Sequence, residues 1–320
     1  GNSGFNMLYS SQEDAYAAID TYRASVCGAD DEIFAETISL TPQPQVSLTV
    51  EDQSTGYVVA LVGGRGAKEG SRTLNRATDV TRQPGSTFKV MTMAAALDCG
   101  AITLDTAFHC SGSEQIPGRS QLLHCWRSTG HGAEQTPQAL QNSCNIAFAH
   151  IALKLGGERF YDYVERFGVL EKTGIDLAGE SKGIFFDRSL VVDTDKWGTA
   201  SLTSGSFGQT FKLTPLQLVR AISCVVNGGY LLEPYLVSEI VDSDGNTVLK
   251  QEPTVLRRVI SEETSRTMRT LMESVVSEGT AKNAQVYGFS IGGKTGTSEK
   301  IDVLDANGNP TLDKIVSFVG

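Results

Sequence analysis

The chain changes its spacing of apolar residues several times, and each change marks an element. Val46-Ser47-Leu48-Thr49-Val50 alternates apolar and polar positions, the pattern of a half-buried strand. Ser54-Thr55-Gly56 is a turn. Tyr57-Val58-Val59-Ala60-Leu61-Val62 is a more deeply buried strand, closed by Gly63-Gly64, so the pair predicts a hairpin. Helical spacing follows: Val90, Met91, Ala94 and Leu97 predict a helix that starts near Ser86. Thr136-Pro137 opens a helix that runs through Ala139-Leu140 and Ile146-Ala147-Phe148 to Leu155, with proline in the first turn after a threonine cap. Further helices are predicted over 158–167, 214–226 and 262–277. Residues 236–248 read as a hairpin around Asp242-Ser243-Asp244-Gly245. Residues 290–297 and 314–319 read as strands with a polar turn between them. Residues 65–85 and most of 170–205 read as loop, and 100–135 as irregular. A strand pair, a block of helices and a second strand pair predict an α+β fold. The strands make one antiparallel sheet flanked by helices, and the helical block is a large insertion.

Residues 1–43 read as an appendage with a short helix over 13–24, and Thr41-Pro42-Gln43-Pro44 as a linker into a main domain over 44–320. The composition, 40% hydrophobic and 20% charged over 320 residues, suffices for a buried core. A net charge of −10 with no basic run argues against a nucleic-acid partner and against a polybasic membrane patch. No stretch approaches a membrane span and no signal peptide is visible. The chain opens on Gly1-Asn2-Ser3-Gly4 and stops at Ser317-Phe318-Val319-Gly320, in mid-strand. Both ends therefore read as cut, and an anchor or targeting segment would lie outside the sequence.

Candidate chemistry begins at Arg82-Gln83-Pro84-Gly85-Ser86-Thr87-Phe88-Lys89. A Pro-Gly turn feeds a serine, and a lysine follows one helical turn later on the same face. The lysine amine can then activate the serine hydroxyl, while free N–H groups at the helix start face a developing negative charge. Alone this pattern is cheap. Ser143-Cys144-Asn145 adds a hydroxyl and an amide aimed at one cleft, with Cys144 pointing away. Lys294-Thr295-Gly296-Thr297 adds a second lysine on one face of a strand, two threonines on the other, and a glycine that permits close approach of a ligand. Each motif has a bland alternative: a helix start, a polar kink, an edge strand.

The three motifs in this order resemble the SxxK, SxN and KTG set of serine acyltransferases that act on penicillin or D-Ala-D-Ala. Asn75-Arg76-Ala77, Gln141-Asn142, Lys172-Thr173-Gly174-Ile175-Asp176, Phe207-Gly208-Gln209 and Leu213-Thr214-Pro215-Leu216-Gln217 extend the resemblance to the transpeptidase domain of penicillin-binding proteins, from about Gln45 to the end. The stretch over 41–45, Val62-Gly63-Gly64-Arg65 and Arg82-Gln83 resemble the bifunctional glycosyltransferase–transpeptidase type. Residues 145–180, 205–220 and 292–320 look more like the monofunctional type.

The resemblance implies a β-lactamase/transpeptidase-like fold and a peptidoglycan D,D-transpeptidase without an organic cofactor, at the extracytoplasmic face of the bacterial membrane. It implies Ser86 as nucleophile, Lys89 as base, Ser143 as proton relay and Asn145 as the holder of the substrate backbone. Lys294, Thr295 and Thr297 would bind the terminal carboxylate beside Gly296, and the N–H groups of Ser86 and Thr297 would form the oxyanion hole. Its partners would be stem peptides, β-lactams and a glycosyltransferase in cis or in trans, the membrane being reached only through a segment outside this chain. The rivals are a D,D-carboxypeptidase or serine β-lactamase on the same fold, and a non-catalytic penicillin sensor or scaffold. A Glu-x-x-Leu-Asn segment, which marks one β-lactamase class, is not visible after Asn145.

The six cysteines are too few for a disulfide scaffold. Cys27, Cys99 and Cys224 stand alone. Cys110, Cys125, His131 and Cys144 are spaced C-x14-C-x5-H-x12-C, and three thiolates with an imidazole suit tetrahedral zinc. Some elongation-type penicillin-binding proteins carry a structural zinc at these relative places, which the resemblance extends to this chain with Cys110 and Cys125 in place of carboxylates. A Cys110–Cys125 disulfide, or three unrelated thiols, are the alternatives.

Overall fold

The computed structural model describes residues 9–36, 38, 40, 42–66, 73–193, 198–299 and 313–320. Contacts divide the chain into one unit of residues 1–45 with 65–71 and another of 46–64 with 72–320. The first unit holds α1 (Gln12–Val26), opened by a Ser11 cap that accepts from the Asp14 N–H. Arg23 near its end pairs with Asp20 and Glu36. Thr41 of the predicted linker lies outside the described residues.

The second unit opens with an antiparallel hairpin of β1 (Leu48–Asp52) and β2 (Tyr57–Val62). A single 3-10 turn over Gly85–Phe88 runs into α2 (Lys89–Asp98), which is buried along almost its whole length. Next come β3 (Ala107–Cys110), β4 (Ser113–Glu114), β5 (Leu123–His124) and β6 (Gly132–Gln135), with β3 paired to β6 and β4 to β5. The expectation of an irregular 100–135 is corrected here. These strands are too short, and too rich in Gly, Ser and His, for a period to show.

Helices α3 (Thr136–Gln141) and α4 (Asn145–Leu155) replace the single helix predicted over this stretch. The chain breaks at Ser143, which sits at φ 52°, and the cap of α3 is Gln135 rather than Thr136. Then follow α5 (Gly157–Arg166), α6 (Ser189–Val192) and α7 (Gly198–Ser206). The last two fall in the stretch read as loop. The sequence of α7, Gly-Thr-Ala-Ser-Leu-Thr-Ser-Gly-Ser, has weak helix propensity, and packing against α4, α5 and α6 overrides it. Thr214 caps α8 (Pro215–Val226) through a reciprocal bond pair with Gln217.

The rest of the unit comprises β7 (Tyr230–Leu232), β8 (Glu239–Val241), β9 (Thr247–Lys250), β10 (Val255–Arg258), α9 (Glu262–Ser277), β11 (Lys294–Glu299) and β12 (Lys314–Val319). β7 pairs with β10, β8 with β9 and β11 with β12, all antiparallel. The turn predicted between β11 and β12 lies outside the described residues.

The fold is α+β, as expected, but its strands form separate two-stranded ladders. Among the described residues no ladder joins β1–β2 to β11–β12. β11 lies instead against the 3-10 turn that carries Ser86. Helix α2 is the hub, touching α3, α4, α5, α8 and α9. Its small Ala94, Ala95 and Ala96, all buried, let neighbours approach, and Met91 and Met93 fill the remaining gaps.

The turn is anchored by Phe88, 1% exposed, whose ring meets Phe211 at 4.7 Å, Phe160 at 6.3 Å and Phe185 at 6.5 Å. Truncation to Phe88→Ala leaves a cavity under the Ser86 turn and is expected to cost about 3–5 kcal/mol in urea denaturation.

Candidate active site

The turn that presents Ser86 is held from outside its own helix. Gly85 has φ 55°, a conformation that suits glycine, and its N–H donates to the Gly208 carbonyl at 3.0 Å. A Cβ on Gly208 would come within 2.0 Å of the Gly85 carbonyl oxygen, so only glycine fits there. Arg82 and Leu213 exchange both backbone bonds, at 2.8 and 2.9 Å. The Thr87 hydroxyl donates to the Pro84 carbonyl at 2.7 Å and closes the turn. Ser86 is half-buried within the 3-10 turn, where residues three apart eclipse, so it shares a face with Lys89.

Lys89 is wholly buried. Its Nζ donates to the Ser143 carbonyl at 2.8 Å, the Ser143 hydroxyl at 3.2 Å and Asn145 Oδ1 at 2.7 Å. Those bonds gather the first two motifs into one cluster, with Cys144 turned into the interior. The amine also lies over the Phe148 and Phe207 rings. Burial lowers the Lys89 pKa to about 7, against the opposing pull of Cys144, Cys125 and Glu134.

Lys294 is also fully buried, and its Nζ donates to the Thr295 carbonyl at 2.9 Å. Burial, and then the charge of Lys89, push it well below its usual range. From the sequence, a second cation at Lys294 and burial would both lower the Lys89 pKa. Desolvation is the largest cause of the lowering at both amines, and the charge of Lys89 adds to it at Lys294.

Along β11, Lys294, Gly296 and Ser298 face inward while Thr297 is exposed and Thr295 partly so. Ser298 donates to the Gln83 carbonyl at 3.0 Å. A Cβ on Gly296 would lie 2.8 Å from the Pro84 oxygen and 2.9 Å from Thr87 Cγ2. The glycine expected to admit a ligand therefore admits the Ser86 turn itself. β11 and Ser86 are brought together by that contact.

Cys110, Cys125, His131 and Cys144 converge, with their donor atoms all within 4.8 Å of one another. The three cysteines are free and buried. His131 Nδ1 is 3.6 Å from Cys125 Sγ, and its Nε2 is buried with no hydrogen-bond partner. Three free thiols and one imidazole gathered this closely fit a tetrahedral metal. The Cys125 thiol is lowered, chiefly by the hydrogen bond from Cys144, and Cys144 is raised by Cys125 and by burial. Cys144 also caps α4, its sulfur accepting from the Ala147 N–H.

Two contributors act through the backbone, a role that sequence reasoning does not assign to either. The His124 carbonyl accepts from Asn145 Nδ2 at 3.3 Å, which orients the amide so that its oxygen faces Lys89. Gly208 abuts Gly85 from a distant segment. Any residue type carries a carbonyl, and no pattern marks the first contact. The groove lined by Arg159, Asp162, Arg166, Glu171 and Arg257 contains none of the motif residues.

The family model for the penicillin binding protein transpeptidase domain matches residues 46–320. Stage V sporulation protein D of Bacillus subtilis is 42% identical over 245 residues, which cover 75% of this chain and 36% of that protein. The probable peptidoglycan D,D-transpeptidase FtsI of Caulobacter vibrioides is 30% identical over 287 residues, 85% of this chain and 44% of that one. Penicillin binding protein 3 from Mycobacterium tuberculosis, solved in complex with ampicillin, superposes with a TM-score of 0.74 at 26% identity, over 87% of this chain and 63% of that one. The chain thus spans less than half the length of these two sequence relatives.

The Lys89 shift carries a stability prediction. Its folded pKa, about 7, lies below the unfolded value near 10.5, so the unfolded chain binds more protons between those limits. The buried amine therefore destabilises the fold below pH 7, and the penalty fades as pH rises from 7 towards 10.5. Urea midpoints at pH 6 and pH 9 should differ more for the parent than for Lys89→Met, which has nothing to titrate.

Proposed function

The chain belongs to the penicillin binding protein transpeptidase family, and on that premise we propose that its domain over 44–320 is a serine-type D,D-transpeptidase that cross-links peptidoglycan stem peptides. The observation that carries this reading is the buried Lys89 amine, one 3-10 turn from Ser86 and bonded to both polar residues of the second motif.

In this mechanism the neutral Lys89 takes the Ser86 hydroxyl proton as Oγ attacks the carbonyl carbon of the penultimate D-Ala. The C–N bond to the terminal D-Ala breaks, and Ser143 passes a proton from Lys89 to the departing amine. The N–H groups of Ser86 and Thr297 stabilise the oxyanion. Asn145 holds the substrate backbone, and Lys294, Thr295 and Thr297 receive the terminal carboxylate beside Gly296. An amine of a second stem peptide then attacks the ester carbonyl, forms the cross-link and returns the proton to Ser86. A β-lactam would acylate the same oxygen through ring opening and stay, because no fragment departs.

Cys110, Cys125, His131 and Cys144 would hold a structural zinc behind Ser143 and Asn145. The metal would fix the backbone there and supply no step of the reaction. The donor set, with its ligand atoms within 4.8 Å of one another, supports this assignment. The site would work at the extracytoplasmic face of the membrane. No helix among the described residues is long and apolar enough to cross it, so anchoring would fall to a segment outside this chain. A glycosyltransferase, in cis or in trans, would supply the glycan strands.

Fluorescent penicillin tests the assignment of the nucleophile. Ser86→Ala should not label at all, and Lys89→Met should label about 10²–10⁴-fold more slowly; normal labelling of Ser86→Ala would sink the mechanism. The parent rate should rise with pH through about 7, as Lys89 loses its proton. Nitrocefin should be consumed once and not turned over, which separates this reading from a β-lactamase. Cross-linking of lipid-linked substrate separates it from a sensor. Protein purified without chelator should hold about one zinc per chain, and stripping it should lower the melting temperature.

A further inference from the structure

Ser143 is one of two non-glycine residues with positive φ among the described residues. At φ 52° it occupies the left-handed region, which costs an L-residue about 1–2 kcal/mol. The strain is useful, because this conformation points both the Ser143 carbonyl and its hydroxyl at Lys89 Nζ. Relaxation to negative φ would require rotation about the Ser143 N–Cα bond. That rotation swings the Asn142–Ser143 peptide plane, whose oxygen is the Asn142 carbonyl.

That oxygen is held. The Trp126 indole N–H donates to it at 2.9 Å. On the other side of the same residue, Asn142 Nδ2 donates to Glu134 Oε2 at 3.1 Å. Glu134 is 5% exposed and fixed in β6. Trp126 follows Cys125 directly and its ring lies 5.4 Å from the His131 ring. It is nevertheless 61% exposed, an unusual place for so large an apolar ring that fills no core.

We propose that Trp126 is a positioning residue. Its indole N–H pins the Asn142–Ser143 peptide plane and so keeps the strained Ser143 within reach of Lys89. The inference rests on the transpeptidase reading only in that Lys89 and Ser143 must act together. The indole acts through Ser143 and touches no reacting atom. It also ties the cysteine–histidine cluster to the proton path, since the residue before it and the ring it faces both belong to that cluster.

The test uses Trp126→Phe, which keeps a ring and removes the donor, and Trp126→Leu, which removes both. Stopped-flow acylation by fluorescent penicillin gives the non-covalent binding constant and the acylation rate constant separately, and a melting curve accompanies each variant. For Trp126→Phe the acylation constant should fall roughly tenfold, the order expected for one hydrogen bond. The binding constant should stay at the parent value, and the melting temperature should fall by no more than the few degrees that one hydrogen bond carries in a domain of this size. Trp126→Leu should fall no further.

A Trp126→Phe protein that acylates at the parent rate overturns the proposal. So does a slow Trp126→Leu beside a normal Trp126→Phe, which would assign the effect to ring packing on His131. A change in the binding constant with an unchanged acylation constant would make Trp126 a substrate contact instead, and a melting temperature lowered well beyond the loss of one hydrogen bond would make it merely structural. Penicillin labelling that survives Ser86→Ala would count against the catalytic reading rather than against Trp126.

Discussion

The site depends on taking one ammonium group out of water. Lys89 is fully buried, and an isolated amine there would be costly in its charged form. Two consequences follow from that single burial. The amine titrates near neutrality, where a base for a serine hydroxyl is useful. It also needs acceptors, and it finds them on the link between α3 and α4: the Ser143 carbonyl, the Ser143 hydroxyl and the Asn145 amide oxygen. The pieces of machinery are thus held together by the demand of a buried cation for hydrogen bonds. Lys294 adds a second buried amine, whose own depression partly reflects the charge of the first.

Around this cation the backbone is constrained at places where relaxation would disperse the groups. Gly85 takes a left-handed turn with the Gly208 backbone pressed against it. Gly296 lets β11 lie on the Pro84–Thr87 turn, so that Thr297 is brought towards the turn that carries Ser86. Ser143 carries positive φ without the freedom of glycine, held by Trp126 and Asn142 on one side and by Cys144 in its cluster on the other. The strain at Ser143 persists because its surroundings over-determine it. The cysteine cluster stands away from the reacting atoms, and its proposed zinc would act by stiffness, fixing the residue between Ser143 and Asn145.

Much of this was legible before any coordinates. α9 spans the predicted 262–277, β12 spans 314–319, and α8 with its Thr214 cap lies where the Thr-Pro signal put it, because each has strong local punctuation. The stretches misread as loop or as continuous helix share one feature: tertiary contacts override a weak or misleading local signal. The glycine- and serine-rich α7 is helical against α4 and α6. The run from Thr136 to Leu155 has helical spacing throughout, yet breaks at Ser143, where the Lys89 amine and the cysteine cluster both take hold of the chain. In the site, Ser86, Lys89, Ser143, Asn145 and Lys294 could be picked out by type and order, since chemistry restricts them to few residue types. His124 and Asn142 could not, because they contribute a carbonyl that every residue has.

The amino-acid sequence by itself determined the chemical inventory: a serine and a lysine one turn apart, a hydroxyl and an amide flanking a cysteine, a second lysine before a glycine, and three cysteines with one histidine. It also determined the α+β pattern of elements, through spacing, caps and turns that act within a few residues. Tertiary structure alone decided what those groups became. It buried Lys89 completely and thereby lowered its pKa, a result that depends on packing contributed by distant helices. It turned Gly296 from an expected ligand contact into the seat of the Ser86 turn, and it put Ser143 into a conformation that no local preference favours. Desolvation and backbone strain are properties of the whole packed domain, so neither can be read from a residue and its neighbours along the chain.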